Sequence, residues 1–125
     1  MPDFDFEAAV RFQKDLERRR VAARRVLFER ASTDFQRIVR MIREEFNPMR
    51  IYQWGSLLDA DSFDESSDID IAVEGIASAR DYLALLKKAE EMTEFPLDLV
   101  EMEKVDPLHR DSICTLGRVV YERPG

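Results

Sequence analysis

The chain has 125 residues, 45% hydrophobic and 36% charged, with a formal net charge of −7. This predicts one domain with a real core and excludes a disordered composition. No apolar run approaches the roughly 20 residues that a membrane-spanning helix needs, and the N-terminus does not read as a secretory signal. The charge is unevenly spread: residues 1–50 hold 12 Lys/Arg against 9 Asp/Glu, residues 51–125 hold 7 against 17. An acidic balance argues against stable duplex nucleic acid as the main partner. The single cysteine, Cys114, allows no internal disulfide, which fits a reducing, cytoplasmic setting. Between Ile113 and Thr115-Leu116 it reads as a buried structural thiol.

Residues 4–30 predict a long helix, because Phe6, Ala9, Val10, Leu16, Ala23, Val26 and Leu27 recur at helical spacing with no Gly or Pro between them. Arg18, Arg19, Arg20, Arg24 and Arg25 crowd its later turns and read as a solvated face, or more sharply as a docking surface for an acidic protein. Thr33 followed by Gln36 resembles a capping box and marks a restart. Ile38, Met41, Ile42 and Phe46 then form an amphipathic stretch that Asn47-Pro48 ends. One bent helix and two helices both satisfy this pattern. The chain accordingly divides into an N-terminal helical extension, 1–31, and a domain, 32–125.

Met49 to Trp54 predicts the first strand. Gly55-Ser56 follows as a turn that can open a short helical segment, and Asp59 to Ser67 is a polar loop. Asp68 to Glu74 is the second strand, with Ile69, Ile71 and Val73 on one face and Asp68 and Asp70 on the other. Ser78 to Met92 predicts a helix capped by Ser78, with Tyr82, Leu83, Leu85, Leu86 and Ala89 apolar. Phe95 to Glu101 is the third strand, with Asp98 opposite Leu97 and Leu99. Asp106-Pro107 starts a short helix through Leu116, and Arg118 to Tyr121 is a last strand. The fold class is α/β (α+β): a small mixed sheet packed with helices. The lone histidine, His109, reads as a surface residue, and Tyr52 and Trp54 as core rather than base-stacking groups.

Asp68 and Asp70, two positions apart on a strand, project from one face. Carboxylates so close repel unless a cation lies between them. Hard cations such as Mg²⁺ or Mn²⁺ take oxygen ligands and share them with substrate phosphates. Asp98 can complete the cluster, and a carboxylate there can also accept the proton of an attacking hydroxyl. Gly55 and Ser56 offer backbone N–H groups and a hydroxyl, the donors that a phosphate tail requires.

Gly55-Ser56, Asp68-Ile69-Asp70 and Leu97-Asp98-Leu99 together resemble the nucleotidyltransferase fold of the DNA polymerase β superfamily. The small size points to its minimal nucleotidyltransferases, including MNT antitoxins paired with HEPN toxins. The resemblance covers roughly residues 34–121. It implies that Gly55 and Ser56 hold the triphosphate of ATP, that Asp68, Asp70 and Asp98 bind metal, and that Asp98 helps activate the acceptor hydroxyl. Better studied antitoxins of this kind transfer AMP to a tyrosine of their toxin. The chain departs from the family in two ways. The spacer from Leu57 to Ser67 is one residue longer than usual, and Asp59 and Ala60 stand where the family often has a basic residue and a glycine. The loop carries Asp59, Asp61, Asp64 and Glu65 and no Lys or Arg.

The leading expectation is a Mg²⁺-dependent transferase of AMP from ATP to a hydroxyl of a HEPN-type toxin. The alternative is an inactive antitoxin of the same fold that neutralises by binding alone. Transfer to a small molecule is a third reading, for which 125 residues leave no room for a helical acceptor domain. Homo- and hetero-oligomers are both open.

Overall fold

The computed structural model describes residues 4–125. Its elements run α1 (Phe6–Phe46), β1 (Arg50–Trp54), a 3₁₀ turn (Gly55–Leu58), β2 (Ile69–Glu74), α2 (Ala79–Glu91), β3 (Leu97–Glu101), α3 (Pro107–Leu116) and β4 (Arg118–Glu122). The four strands form one mixed sheet in the order β3-β2-β1-β4. β1 pairs antiparallel with β2 and with β4, and β2 pairs parallel with β3 through α2. No helix among the described residues is long and apolar enough to cross a membrane.

α1 is one continuous helix of 41 residues. Asp5 caps its start by accepting the Ala8 N–H at 2.9 Å. Of the two arrangements the sequence left open, the single helix holds, and the restart signal at Ser32–Asp34 produces no break. Thr33 instead donates its hydroxyl to the Glu29 carbonyl one turn back, at 3.0 Å. The physical reason is the apolar stripe, which runs through the supposed restart unbroken: Leu27 and Phe28 pack partly, then Ala31, Phe35, Ile38, Met41 and Ile42 are buried. The helix ends where Asn47 takes a left-handed conformation (φ 44°) before Pro48. No residue from Phe6 to Arg30 is fully buried, and Phe6 and Phe12 are exposed.

Alternation splits the sheet into two faces. Ile51, Ile69, Ile71, Val73 and Leu99 meet α1 and the Leu85 and Ala89 face of α2 in the main core. Phe63 from the polar loop closes that core, edge-on to Phe28 and Phe95. On the opposite face, Tyr52, Ala72 and Met102 pack on Ile113 of α3. Ser78 caps α2 as its residue type predicts, accepting the Asp81 N–H at 3.1 Å. Two apolar expectations are corrected. Leu83 is exposed, because it lies on the far side of α2 from Leu85 and Ala89. Cys114 is also exposed. α3 turns only one side to the sheet, through Ile113, and the next residue lies about 100° further round.

Candidate active site

The site lies at the sheet edge where β1 ends and β2 and β3 begin. Antiparallel pairing sets Trp54 opposite Asp70, and parallel pairing sets Asp70 opposite Asp98. Both aspartates therefore leave the sheet on the α3 face, side by side. Asp70 is buried, Asp98 half-buried, and Asp68 exposed just before β2.

Gly55 opens the 3₁₀ turn with φ +79°, a conformation that suits glycine. A β-carbon there would lie 2.0 Å from Oδ2 of Asp70, so the turn presses directly on that carboxyl. Ser56 follows in the turn, half-buried. Gly55 and Asp70 are thus adjacent in space as well as in the sequence pattern.

Burial pushes the Asp70 carboxyl up to about 7, and the neighbouring charges of Asp98 and then Asp68 add to it. The Asp70 carboxyl therefore feels both of the others. As the side chains stand, no three Asp, Glu, His or Cys groups among the described residues are gathered tightly enough to hold a metal ion. The donor chemistry still fits a hard divalent cation. All three groups are oxygen donors, two on directly paired strand positions, and their mutual repulsion is what a cation would relieve.

The acidic loop is organised by its own side chains. Asp59 accepts the Asp61 N–H at 3.1 Å and the Ser62 hydroxyl at 3.1 Å. Asp64 accepts the N–H and hydroxyl of Ser66 at 2.8 and 2.6 Å and the Ser67 hydroxyl at 3.3 Å, which holds its carboxyl below the usual range. These residues shape the loop.

Several residues of the site surroundings were not evident from the sequence. His109, expected at the surface, is half-buried with its ring edge-on to Trp54 at 5.0 Å between centroids. The Trp54 indole N–H is buried without a hydrogen-bond partner. Tyr52 is core, as expected, at 7% exposure, and its hydroxyl donates to Glu74 at 3.3 Å. Glu74 itself is buried and also accepts from Arg50 at 2.7 Å and Arg110 at 3.0 Å, which fastens α3 to the sheet. Alternation places Glu74 on the Asp70 face, a signal present in the sequence; its two arginine partners are not. A cavity of about 600 Å³ is lined by Arg30, Asp34, Glu91 and Glu94, none of them a residue of this site.

Comparison with known proteins agrees with the fold. No curated protein sequence matches the chain with significance. Among solved structures, a toxin–antitoxin complex with AMP-PNP aligns at 23% identity and TM-score 0.58, over 70% of this chain and 72% of that one. A complex of a tri-AMPylated Shewanella oneidensis HEPN toxin with its MNT antitoxin aligns at 22% identity and TM-score 0.55, over 74% and 72%. A Sulfolobus solfataricus protein described as a nucleotidyltransferase aligns at 16% identity and TM-score 0.50, over 82% and 87%. At such identities these likenesses establish the fold. The family described as "Polymerase beta, Nucleotidyltransferase" matches residues 36–124, from the last turns of α1 through β4, and the chain therefore belongs to the polymerase β-type nucleotidyltransferase family.

Proposed function

We propose that this chain is an MNT-type antitoxin that transfers AMP from ATP to a hydroxyl of a HEPN-type toxin in the cytoplasm. Residues 32–125 would form the transferase domain and residues 1–31 a helical extension. The observation that carries the reading is the direct pairing of Asp70 with Asp98 beside the Gly55 turn. AMP-PNP and an AMPylated HEPN toxin in the complexes of similar fold support the choice of nucleotide and partner.

In this reading Gly55 and Ser56 hold the triphosphate through backbone N–H groups and the serine hydroxyl. Asp68, Asp70 and Asp98 hold Mg²⁺ or Mn²⁺. When bound, the cation would neutralise the carboxylates and polarise the phosphate oxygens. Asp98, on the open side of the pair, accepts the proton of the incoming hydroxyl as its oxygen bonds to the α-phosphorus of ATP, the α–β phosphoanhydride bond breaks and pyrophosphate leaves. Asp70, only partly ionised near neutral pH without a cation, must lose its remaining proton to serve as a ligand.

A second reading has its own observation. Asp59, where the family often carries a basic residue, is committed to the loop, so neutralisation by binding alone remains a competitor. The experiment is the intact mass of the toxin after incubation with this protein, ATP and Mg²⁺. Gain of AMP units, lost with Asp68→Asn or Asp98→Asn, supports transfer. Full neutralisation by those variants with no mass gain would establish binding alone.

A further inference from the structure

The first half of α1 carries an apolar face that the rest of the chain leaves uncovered. We infer that this face pairs, antiparallel, with the same segment of a second copy of the chain.

The uncovered face continues the buried one. Helical spacing puts Phe6, Val10, Gln13 and Arg20 on the side of α1 that further on buries Ala31, Phe35, Ile38 and Ile42. Phe6 is 70% exposed. With Phe4, Ala9, Val10 and Gln13 it lines an apolar groove of about 410 Å³ to which no other element contributes. Among the described residues, the ion pairs of residues 6–19 stay within α1, from Arg18 to Asp15 and from Glu17 to Arg24. The rest of the chain first comes alongside at Arg20, which shares a cavity with Asp64 and Glu65. A helix this open gains little from its own hydrogen bonds and is stabilised mainly when its apolar face is covered.

Charge names the occupant. Residues 5–17 hold four Asp/Glu against two Lys/Arg, and residues 18–30 hold six Lys/Arg against one Glu. A partner of one sign would be repelled by one end of this helix, whereas the same segment reversed complements both. A two-fold axis beside Gln13 sets Val10 opposite Leu16 of the second copy and Phe6 opposite its Arg20, each contact made twice. Glu7 then comes level with Arg19 of the second copy, and Arg11 with its Asp15. The two Gln13 amides meet at the axis, a polar pair that fixes the register. A parallel pair would instead set like charge on like along its whole length. The overlap, residues 6–20, is about 22 Å of helix and stops where the protein's own loop comes alongside. A contact this short is a weak one, with a Kd on the order of 10–100 µM.

Sedimentation equilibrium of the full chain from roughly 5 to 500 µM tests this, and the expected result is a monomer–dimer equilibrium. The acidic variant Arg18→Glu/Arg19→Glu/Arg20→Glu and the basic variant Glu7→Lys/Asp15→Lys should each weaken self-association at least about 10-fold, and an equal mixture of the two should recover it to within about 3-fold. Orientation is read by cross-linking in a Cys114→Ser background. Gln13→Cys should form an intermolecular disulfide on oxidation and Arg20→Cys should not, because antiparallel pairing holds the two copies of position 20 about 21 Å apart. If a charge variant loses helix by circular dichroism, the cysteine pair carries the test. Wild type monomeric throughout overturns the inference and leaves the face to a different protein. So does a dimer indifferent to the charge variants, a mixture that stays monomeric, or cross-linking at both positions, which is the parallel arrangement.

Discussion

The carboxyl of Asp70 occupies the space that a side chain on Gly55 would need, with Oδ2 2.0 Å from the ideal β-carbon position. The two residues close the ends of neighbouring strands, and the Trp54–Asp70 pairing fixes their approach. Gly55→Ala should therefore cost about 2–4 kcal/mol, of which about 1–2 is left-handed backbone and the rest the clash. Urea denaturation measures it. In the Gly55→Ala/Asp70→Ala double variant the clash term should largely vanish, leaving the backbone term. Strict additivity of the two single costs would show that the contact is not what excludes a side chain at 55.

Asp70 should make apo-protein stability fall as pH rises through the neutral range. Its folded carboxyl sits near 7, above the ordinary value of 3.8, so between about pH 4 and 7 the native state binds more protons than the unfolded one. The stabilisation is full below pH 4 and lost as pH passes 7. At about 1.4 kcal/mol per pH unit, the loss is on the order of 2–4 kcal/mol. Asp70→Asn should flatten this segment of the profile and be more stable than wild type at pH 8. Denaturant midpoints at pH 5, 6, 7 and 8 decide it; parallel profiles for the two proteins would be the contrary result.

Glu74 should be a stability residue with little part in nucleotide binding. It holds Arg50 and Arg110 from β1 and α3 and accepts the Tyr52 hydroxyl, all within the protein. Glu74→Ala removes the carboxylate partner of Arg110 and one of the two of Arg50, both arginines being partly exposed, and should cost about 1–3 kcal/mol. Where the variant remains folded, its affinity for Mg²⁺–ATP should stay within about 2-fold of wild type, since Glu74 lies a full four residues along β2 from Asp70. Calorimetry on the folded fraction checks the second half.

Thr33 and the first part of α1 test the continuous helix. If Thr33 capped a second helix, Thr33→Ala would cost about 1 kcal/mol. Mid-helix, where its hydroxyl back-bonds to Glu29, the change should be neutral or slightly stabilising, as Ala has the higher helix propensity. Removal of residues 1–20, none of them fully buried among those described, should likewise lower the melting temperature by less than about 3 °C. Circular dichroism melts measure both.

Local rules carried much of the fold. Two-residue alternation at 69–74 and 97–101 is enough to assign faces, because a strand must turn alternate side chains to opposite sides. Ser78 and Asp106 cap helices where their side chains predict, accepting N–H groups three residues on. The same rules misplaced Thr33, since a capping signal competes with a buried stripe that spans many more contacts, and the stripe wins. They misplaced Cys114 because an apolar neighbourhood in sequence does not say which side of a short helix meets the sheet.

The sequence by itself determined which residues could do chemistry: a Gly-Ser turn, Asp68 and Asp70 in alternation, and Asp98 between two leucines, each a property of a few adjacent residues. Only the tertiary structure decided that Asp70 and Asp98 are register partners, that Gly55 bears on Asp70, and that Arg118 donates to buried Gln53 across a separation of 65 residues. Strand order and register arise from the packing of whole faces against α1, α2 and α3. A one-residue slip of β3 would turn Asp98 into the apolar core and Leu97 out of it. The site is therefore set by the burial of Ile69, Ile71 and Leu99 on the far side of the sheet, a cooperative constraint that no short stretch of sequence contains.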